Sequence, residues 1–457
     1  QTVLWDKYHL LYLDGAYGWD QFDENKVSSR VMDYVAGNLS ETGENSVFRT
    51  KLCEASLLEY MFATDNDGTG MLRQASAYMK RHLPEDVAKK MYQQYQDGKK
   101  AEADGKTEYS VEDADQAIIN AKKEKEQADQ NDKEGAPQEE AGEKNIQDNE
   151  NNHAQDAEDG KKESPIQIVL QLKQNALLGM TVSDMSSLSA KAVEAKDMVS
   201  NRQCETGRYD MKKAEKMNVS DRVMVLEYIG KHFSDYTEPG KGDLTYEMEY
   251  ILCGKDTDKK NLESSIERLM RMREAANVAH IIADREKLNQ TLMIATSLAG
   301  FSGNPAVVKI VQIGVVAAWA YVESILDLRT LLSGGKISLI KSAAEWTTDL
   351  KKLGEIVTGE GKARECKNGL SYQAYIKQLL FAMKEKKMAY RMMDIMELAM
   401  QKEQNGKNAR MDHMIDNMIC ELRFEAKPLF AKRSFYGDME KGGYTFFKRQ
   451  KLSYINE

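Results

Sequence analysis

A chain of 457 residues, 41% of them hydrophobic, is long and apolar enough to bury a sizeable core in roughly two or three domains, which excludes a wholly disordered protein. Its net charge of -9 is concentrated, since residues 96–164 hold 21 acidic side chains against 10 basic ones and the remainder is slightly basic. Elsewhere acids and bases are intermixed without a basic stripe, which argues against nucleic acid as a partner, and five cysteines without a C-x-x-C spacing exclude zinc ribbons and redox motifs.

Residues 1–95 read as the N-terminal α+β part of the body. His9-Leu10-Leu11-Tyr12-Leu13 and Ser46–Phe62 predict strands, separated by a helix over Glu24–Leu39. Asp65-Asn66-Asp67-Gly68 then resembles the start of a calcium loop, but its glycine is fourth rather than sixth and Ser76 stands where a bidentate Glu is needed. A turn between a strand and a helix explains Asp-Gly there.

Residues 96–164 form an acidic, low-complexity linker with few aliphatic or aromatic side chains. Such a composition buries too little apolar surface to offset chain entropy of roughly 1 to 2 kcal/mol per residue, so a disordered, solvated spacer is expected rather than an acidic lure for a basic partner. Inside it Ser110 and Asp113 can cap a short helix to about Gln127. Deleting residues 103–160 is accordingly expected to leave the thermal midpoint nearly unchanged.

Residues 165–410 carry the period of a helical body. Helices are predicted over Ser220–Phe233, Asn261–Ile282, Lys287–Phe301 and Tyr372–Gln401, with one strand near 244–252. In that strand Leu244, Tyr246, Met248, Tyr250 and Leu252 alternate with Thr245, Glu247, Glu249 and Ile251, and Glu247 with Glu249 reads as a solvated face rather than a catalytic carboxylate pair. The run from Pro305 to Leu328 is interrupted by Lys309, Glu323 and Asp327, leaving an uncharged core from Ile310 to Val322. A spanning helix needs about 20 apolar residues, so the run is expected to be the central helix of a bundle, started by Asn304-Pro305 and ended by Gly334-Gly335. Met393, Met396 and Met400 read as core filling rather than as a docking surface.

No catalytic, cofactor-binding or metal-binding residue is assigned. Ser333-Gly334-Gly335-Lys336 lacks the earlier glycine of a phosphate loop and has Ile337 where Ser or Thr would hold magnesium. The histidines His9, His82, His153, His232, His280 and His413 are scattered, without an H-E-x-x-H pair, and no serine sits in a G-x-S-x-G setting. Cys204 and Cys366 lie in polar, loop-like surroundings and can pair if the protein lies outside the cytoplasm; Cys53, Cys253 and Cys420 fall in apolar patterns as buried thiols. Residues 411–457 alternate over Cys420–Lys427 and again over Tyr444–Tyr454, predicting a C-terminal β-hairpin that packs back on the N-terminal part. The expected fold class is α+β and predominantly helical: a central helical bundle with a small antiparallel sheet built from strands near both termini.

Several blocks in order resemble domain of unknown function family 5702, found in Firmicutes. They include W-D-K-Y-H-L-L-Y-L-D-G-A-Y-G (Trp5 to Gly18), E-Y-M-F-A-T-D (Glu59 to Asp65), R-Q-A-S-A-Y-M-K (Arg73 to Lys80) and S-P-I-Q-I-V-L-Q-L-K (Ser164 to Lys173). Further blocks are D-R-V-M-V-L-E-Y-I-G-K-H-F (Asp221 to Phe233), Y-E-M-E-Y-I-L-C-G-K-D-T-D-K-K-N-L (Tyr246 to Leu262), A-W-A-Y-V-E-S-I-L-D-L-R-T-L-L-S-G-G-K (Ala318 to Lys336) and G-L-S-Y-Q-A-Y-I (Gly369 to Ile376), so the resemblance covers nearly the whole chain. It implies a TadE-like, membrane-anchored pseudopilin or accessory protein associated with Tad-type pilus genes, with an N-terminal membrane helix absent from this chain and the body on the extracellular face of the cell membrane. Implied partners are other pilus or cell-envelope proteins, and no cofactor is implied. A non-enzymatic surface protein is therefore expected, either a minor-pilin-like component of a Tad-like (type IV) pilus or secretion system or a cell-surface binding or scaffold domain unrelated to pili. An enzyme acting on wall or polysaccharide is disfavoured, because its carboxylates would have to converge from distant segments.

Overall fold

A computed structural model describes residues 2–15, 21–43, 49–107, 109–134, 164–209, 217–354, 361–403, 407–427, 439–440 and 443–454. In chain order the elements begin with α1 (Thr2–Tyr8), β1 (Leu13–Asp14), α2 (Glu24–Gly43), β2 (Thr50–Phe62), α3 (Thr69–Lys80), α4 (Glu85–Asp104) and α5 (Val111–Glu134). There follow α6 (Pro165–Leu172), α7 (Leu177–Thr181), α8 (Val219–His232), α9 (Glu247–Cys253), α10 (Asp258–Ala283), α11 (Arg285–Ala299) and α12 (Pro305–Leu332). The chain closes with α13 (Tyr372–Phe381), α14 (Glu385–Gln401), β3 (Met414–Ala426), β4 (Met439–Glu440) and β5 (Gly443–Ser453). This is the expected α+β, mainly helical class. The chain divides into two compact units, Gln1–Tyr95 with Ser189–Ser265 and Ile376–Glu457, and Gln96–Leu188 with Ile266–Tyr375.

The first unit is built around an antiparallel sheet in which β3 is central. β2 pairs with it from Thr50↔Ala426 to Phe62↔Ile415, and β5 pairs on its other side from Ala426↔Tyr444 to Asn417↔Ser453. The two-residue strands β1 and β4 pair with the start of β3 and the start of β5. Along β3 alternate residues Met418, Cys420, Leu422, Phe424 and Ala426 are buried. Helix α2, started by the Asp23 carboxylate that accepts the N–H of Asn25 at 3.0 Å, covers this face with Val27, Val31, Met32, Val35 and Leu39 on one stripe.

Three predictions in this unit need correction. Strand character at His9–Leu13 is limited to Leu13–Asp14, because α1 runs to Tyr8 and His9 takes a left-handed φ of 52° that a strand residue does not adopt. Leu11 instead gives its N–H and C=O to the Gln74 side-chain amide, each at 3.0 Å. The predicted strand at 244–252 is helix α9, and all seven of its residues are buried. Its alternation is not an inside–outside pattern: Glu247 accepts the Ser234 N–H at 3.0 Å and Glu249 accepts that of Tyr236 at 2.9 Å. Arg391 completes the short helix by donating to the carbonyls of Ile251, Leu252 and Cys253. Last, the helix predicted over Tyr372–Gln401 is two helices, α13 and α14, and between them Arg222 takes the carbonyls of Phe381 and Met383 that a continuous helix would need.

In the second unit α12 is the central helix, buried nearly throughout from Val311 to Leu332 and surrounded by α5, α6, α7 and α11. Its ends are as predicted: Asn304 accepts the Ala306 N–H at 2.9 Å, Pro305 opens the first turn, and Gly334 closes it at φ 86°. By length and composition it also suffices to cross a membrane, yet its apolar surface is spent on neighbouring helices. The acidic segment is corrected here as well. Ser110 and Asp113 form the expected reciprocal cap, with Ser110 N–H to Asp113 Oδ2 at 2.8 Å and Asp113 N–H to Ser110 Oγ at 3.2 Å. The helix they start is not a solvated spacer, because Val111, Ala114, Ile118 and Ala121 are buried on the stripe that faces α12. A Cβ at Gly314 of α12 would lie 2.1 Å from the Ala114 Cβ, so the two helices approach as closely as glycine permits. Within the predicted linker, residues 108 and 135–163 lie outside the described residues.

Candidate functional site

The motifs weighed in the sequence resolve into structural parts. Asn66, Asp67 and Gly68 are all left-handed, at φ 54°, 59° and 74°, and make the tight turn from β2 to α3. Asp65 before them is a staple, accepting the N–H of Phe62 at 2.7 Å and of Gly207 at 2.9 Å, and Asp67 pairs with Lys386 at 2.9 Å. The Ser333–Lys336 turn ends α12. Met393, Met396 and Met400 are buried, as expected of core filling. All five cysteines are free thiols, so Cys204 and Cys366 are not paired. Cys204 Sγ points to the Val199 carbonyl at 3.6 Å, and burial pushes its thiol up to about 11.

Histidines far apart in sequence meet in the first unit. Tyr78 stacks on His9 at 4.7 Å and contacts His82 at 4.2 Å and His232 at 5.4 Å between ring centroids. Two of them turn Nδ1 to a backbone carbonyl, His232 to Lys7 at 2.9 Å and His82 to Tyr78 at 2.7 Å. Burial pushes His232 down to about 4, with the neighbouring cationic groups adding to it, so the cluster holds a neutral imidazole. Among the described residues no group of three or more His, Cys, Asp or Glu side chains is placed to hold a metal ion.

A cleft of about 380 Å³ opens in the first unit beside α14, lined by Lys196, Arg202, Glu397, Gln401, Asn408 and Arg410 among others. The charges of Arg202, Glu397 and Arg410 are already spent on one another and on Asp412. Arg202 forks onto Glu397 and Asp412 at 2.8 Å each, and Arg410 reaches Asp412 at 2.6 Å. Burial raises Asp412, but the hydrogen bonds from Arg410, the Glu205 backbone and Arg202 outweigh it and hold the carboxyl well below the usual range. This is a clasp joining the 194–205 segment to the end of α14, without a free nucleophile or base.

Asp416, two residues into β3, is the opposite case. Gln74 Nε2 and Asn417 Nδ2 donate to it at 2.9 Å each, yet burial raises its pKa to about 6, with Arg73 too weak a counter-influence. Because the folded value lies above the ordinary 3.8, the stability attached to this proton is complete below about pH 4 and lost as pH rises through about 6, on the order of 3 kcal/mol by pH 7. Asp416→Asn is expected to raise stability at pH 7 by about 1 to 3 kcal/mol and to flatten the pH dependence between about pH 4 and pH 6, read by urea unfolding at each pH. An unchanged profile would show that Asp416 is solvated.

The sheet also presents surface among the described residues. The outer edge of β2 is covered: Arg208 donates to the carbonyls of Leu57 and Leu58, and its own carbonyl accepts the Tyr60 N–H at 2.8 Å. On the outer edge of β5 the segment leading into β4, residues 428–438, lies outside the described residues. Among the described residues strand pairing on that side is limited to Met439 and Glu440, opposite Tyr444 and Gly443. Helix α2 covers β2 and β3, so Phe446 beside the buried Phe424 stays 42% exposed, and Phe447 on the opposite face is 62% exposed. Residues 443–454 carry three basic side chains, Lys448, Arg449 and Lys451, and no acidic one. Exposed aromatic rings grouped in this way mark a candidate interaction surface. Sequence alternation located the strand but had no means of showing that both rings stay exposed.

No curated protein and no solved structure matches the chain. A family model described as a family of unknown function (DUF5702) matches residues 155–426, a span that includes the Arg202 clasp and β3 but neither β2 nor β5. With more than half of its length matched, the chain belongs to the family of unknown function DUF5702.

Proposed function

We propose that this chain is the non-enzymatic extracellular body of a membrane-anchored surface protein, a minor-pilin-like or accessory component of a Tad-like (type IV) pilus or secretion system that works by binding other envelope proteins. The observation that supports it is the pair of exposed phenylalanines on β5, Phe446 and Phe447, which offer apolar surface on both faces of one strand. The clasp at Arg202 and the turns at Asp65 and Gly334 are absorbed by the fold itself, so binding is the role left to a surface. The tether is the N-terminal membrane helix implied by the family resemblance.

Membrane fractionation of the native cells, followed by protease shaving of intact cells and an antibody against this chain, tests the proposal. The protein is expected in the membrane pellet and accessible from outside. Recovery as a soluble, protected protein would overturn it. Crosslinked neighbours then separate the pilus assignment from a surface scaffold unrelated to pili.

A further inference from the structure

We propose that Lys341 and Asp327 condense into an amide that ties the segment after α12 to the helix itself, with Glu323 carrying the protons. The lysine side chain has no solvent exposure, and the groups around it suit the reaction. Its Nζ lies 2.5 Å from Asp327 Oδ1 and also contacts Glu323 Oε1, because positions 323 and 327 share one face of α12. The other oxygen, Asp327 Oδ2, accepts from Arg273 Nε and Asn277 Nδ2, each at 3.0 Å. Two donors on that oxygen draw electron density from the carboxyl carbon and stabilise the charge that develops when an amine adds there. Indoles close the pocket. Trp346 lies 5.8 Å from Nζ and meets Trp319 edge-on, and a water-poor surrounding favours condensation over hydrolysis.

The step balances within this set. The ammonium passes a proton to the Glu323 carboxylate and becomes an amine, which adds to the Asp327 carboxyl carbon. The bond from Nζ to Cγ forms and the bond from Cγ to Oδ1 breaks. Of the three ammonium protons, one stays on the amide nitrogen and two reach Oδ1 by way of Glu323, so Oδ1 leaves as water and Glu323 ends as a carboxylate. Nothing is oxidised or reduced. Glu323 is the poorer acceptor for the amine, since the oxygen that would leave, Oε1, is held by the Thr347 N–H at 3.1 Å and Oε2 by that of Thr348 at 2.9 Å.

Mass spectrometry of the purified full chain is the test. The protein is expected to weigh less than its sequence by one water, and trypsin after denaturation to release a branched species joining residues 310–329 to 337–351, uncut after Lys341. Fragmentation is expected to place the branch at Asp327. Lys341→Arg keeps the cation but presents no amine, so it is expected at the full sequence mass. Glu323→Gln removes the proton carrier and is expected to slow formation about a hundred-fold or more, so that it is recovered mostly unlinked with the tryptophan fluorescence of a folded chain. A parent protein at full sequence mass, cut by trypsin after Lys341, is an unreacted buried ion pair and overturns the proposal. Water loss retained in Lys341→Arg, or a branch at Glu323, overturns it as well, and complete linkage in Glu323→Gln overturns the role given to that carboxylate.

Discussion

Asp327→Ala is expected to destabilise the second unit by about 3 to 5 kcal/mol, the cost of leaving a buried charge without its partner. Four charges meet in its interior with no solvent exposure, Arg273 and Lys341 against Glu323 and Asp327. Asp327 is the bridge, since it accepts from Arg273 Nε at 3.0 Å and from Asn277 at 3.0 Å and also pairs with Lys341. Glu323 is anchored elsewhere by the N–H groups of Thr347 at 3.1 Å and Thr348 at 2.9 Å. Arg273 spends its remaining donors on the carbonyls of Ser338 and Leu339 and on the Tyr375 hydroxyl. The set is neutral as built. Removing one carboxylate leaves a positive charge in the interior with neither a counter-ion nor solvent to offset it. Urea unfolding followed by tryptophan fluorescence reads this directly, because Trp319 and Trp346 lie in the same unit and both hydrogen-bond Thr348. A loss under about 1 kcal/mol would mean that the network is hydrated and the burial argument fails.

Deleting residues 103–160 is expected to lower the thermal midpoint of this unit by about 10 °C or more, the reverse of what composition alone implies. The deletion removes α5, and with it the buried Val111, Ala114, Ile118 and Ala121 that cover α12. Large buried side chains contribute roughly 1.5 to 3 kcal/mol each, and the uncovered face of α12 is itself apolar. Gly314→Leu probes the same contact without shortening the chain. Its side chain would be driven into Ala114, so α5 is expected to detach and become sensitive to proteolysis while the sheet of the other unit stays folded. A midpoint within a few degrees of the parent for both variants would return α5 to the status of a spacer.

Much of the architecture was legible where the pattern is local. Ser110 with Asp113, Asn304 with Pro305, and the glycines after Leu332 marked helix ends, because a cap is a bond between near neighbours. The apolar run around Val315, the methionines of α14 and the alternation along β3 identified core helix, core filling and sheet by periodicity. α9 was misread because Glu247 and Glu249 are acids turned inward to backbone donors, which no polarity pattern distinguishes from acids turned to water. The start of α5 was read but its burial was missed for a related reason: its buried stripe is narrow and partly alanine, and its value lies in the glycine it meets on α12.

The chain by itself thus determined the fold class, most helix positions and the family, since these follow from short-range periodicity and from the order of sequence blocks. Only the tertiary structure decided which charges are buried and which aromatic rings stay exposed. Arg273 and Asp327 are 54 positions apart and acquire their meaning from a shared dry interior. Phe446 is exposed because α2 stops at β3, so its exposure depends on the reach of a helix some 400 positions earlier in the chain. Desolvation and coverage are properties of what surrounds a residue, and distant segments supply those surroundings only once the chain has folded.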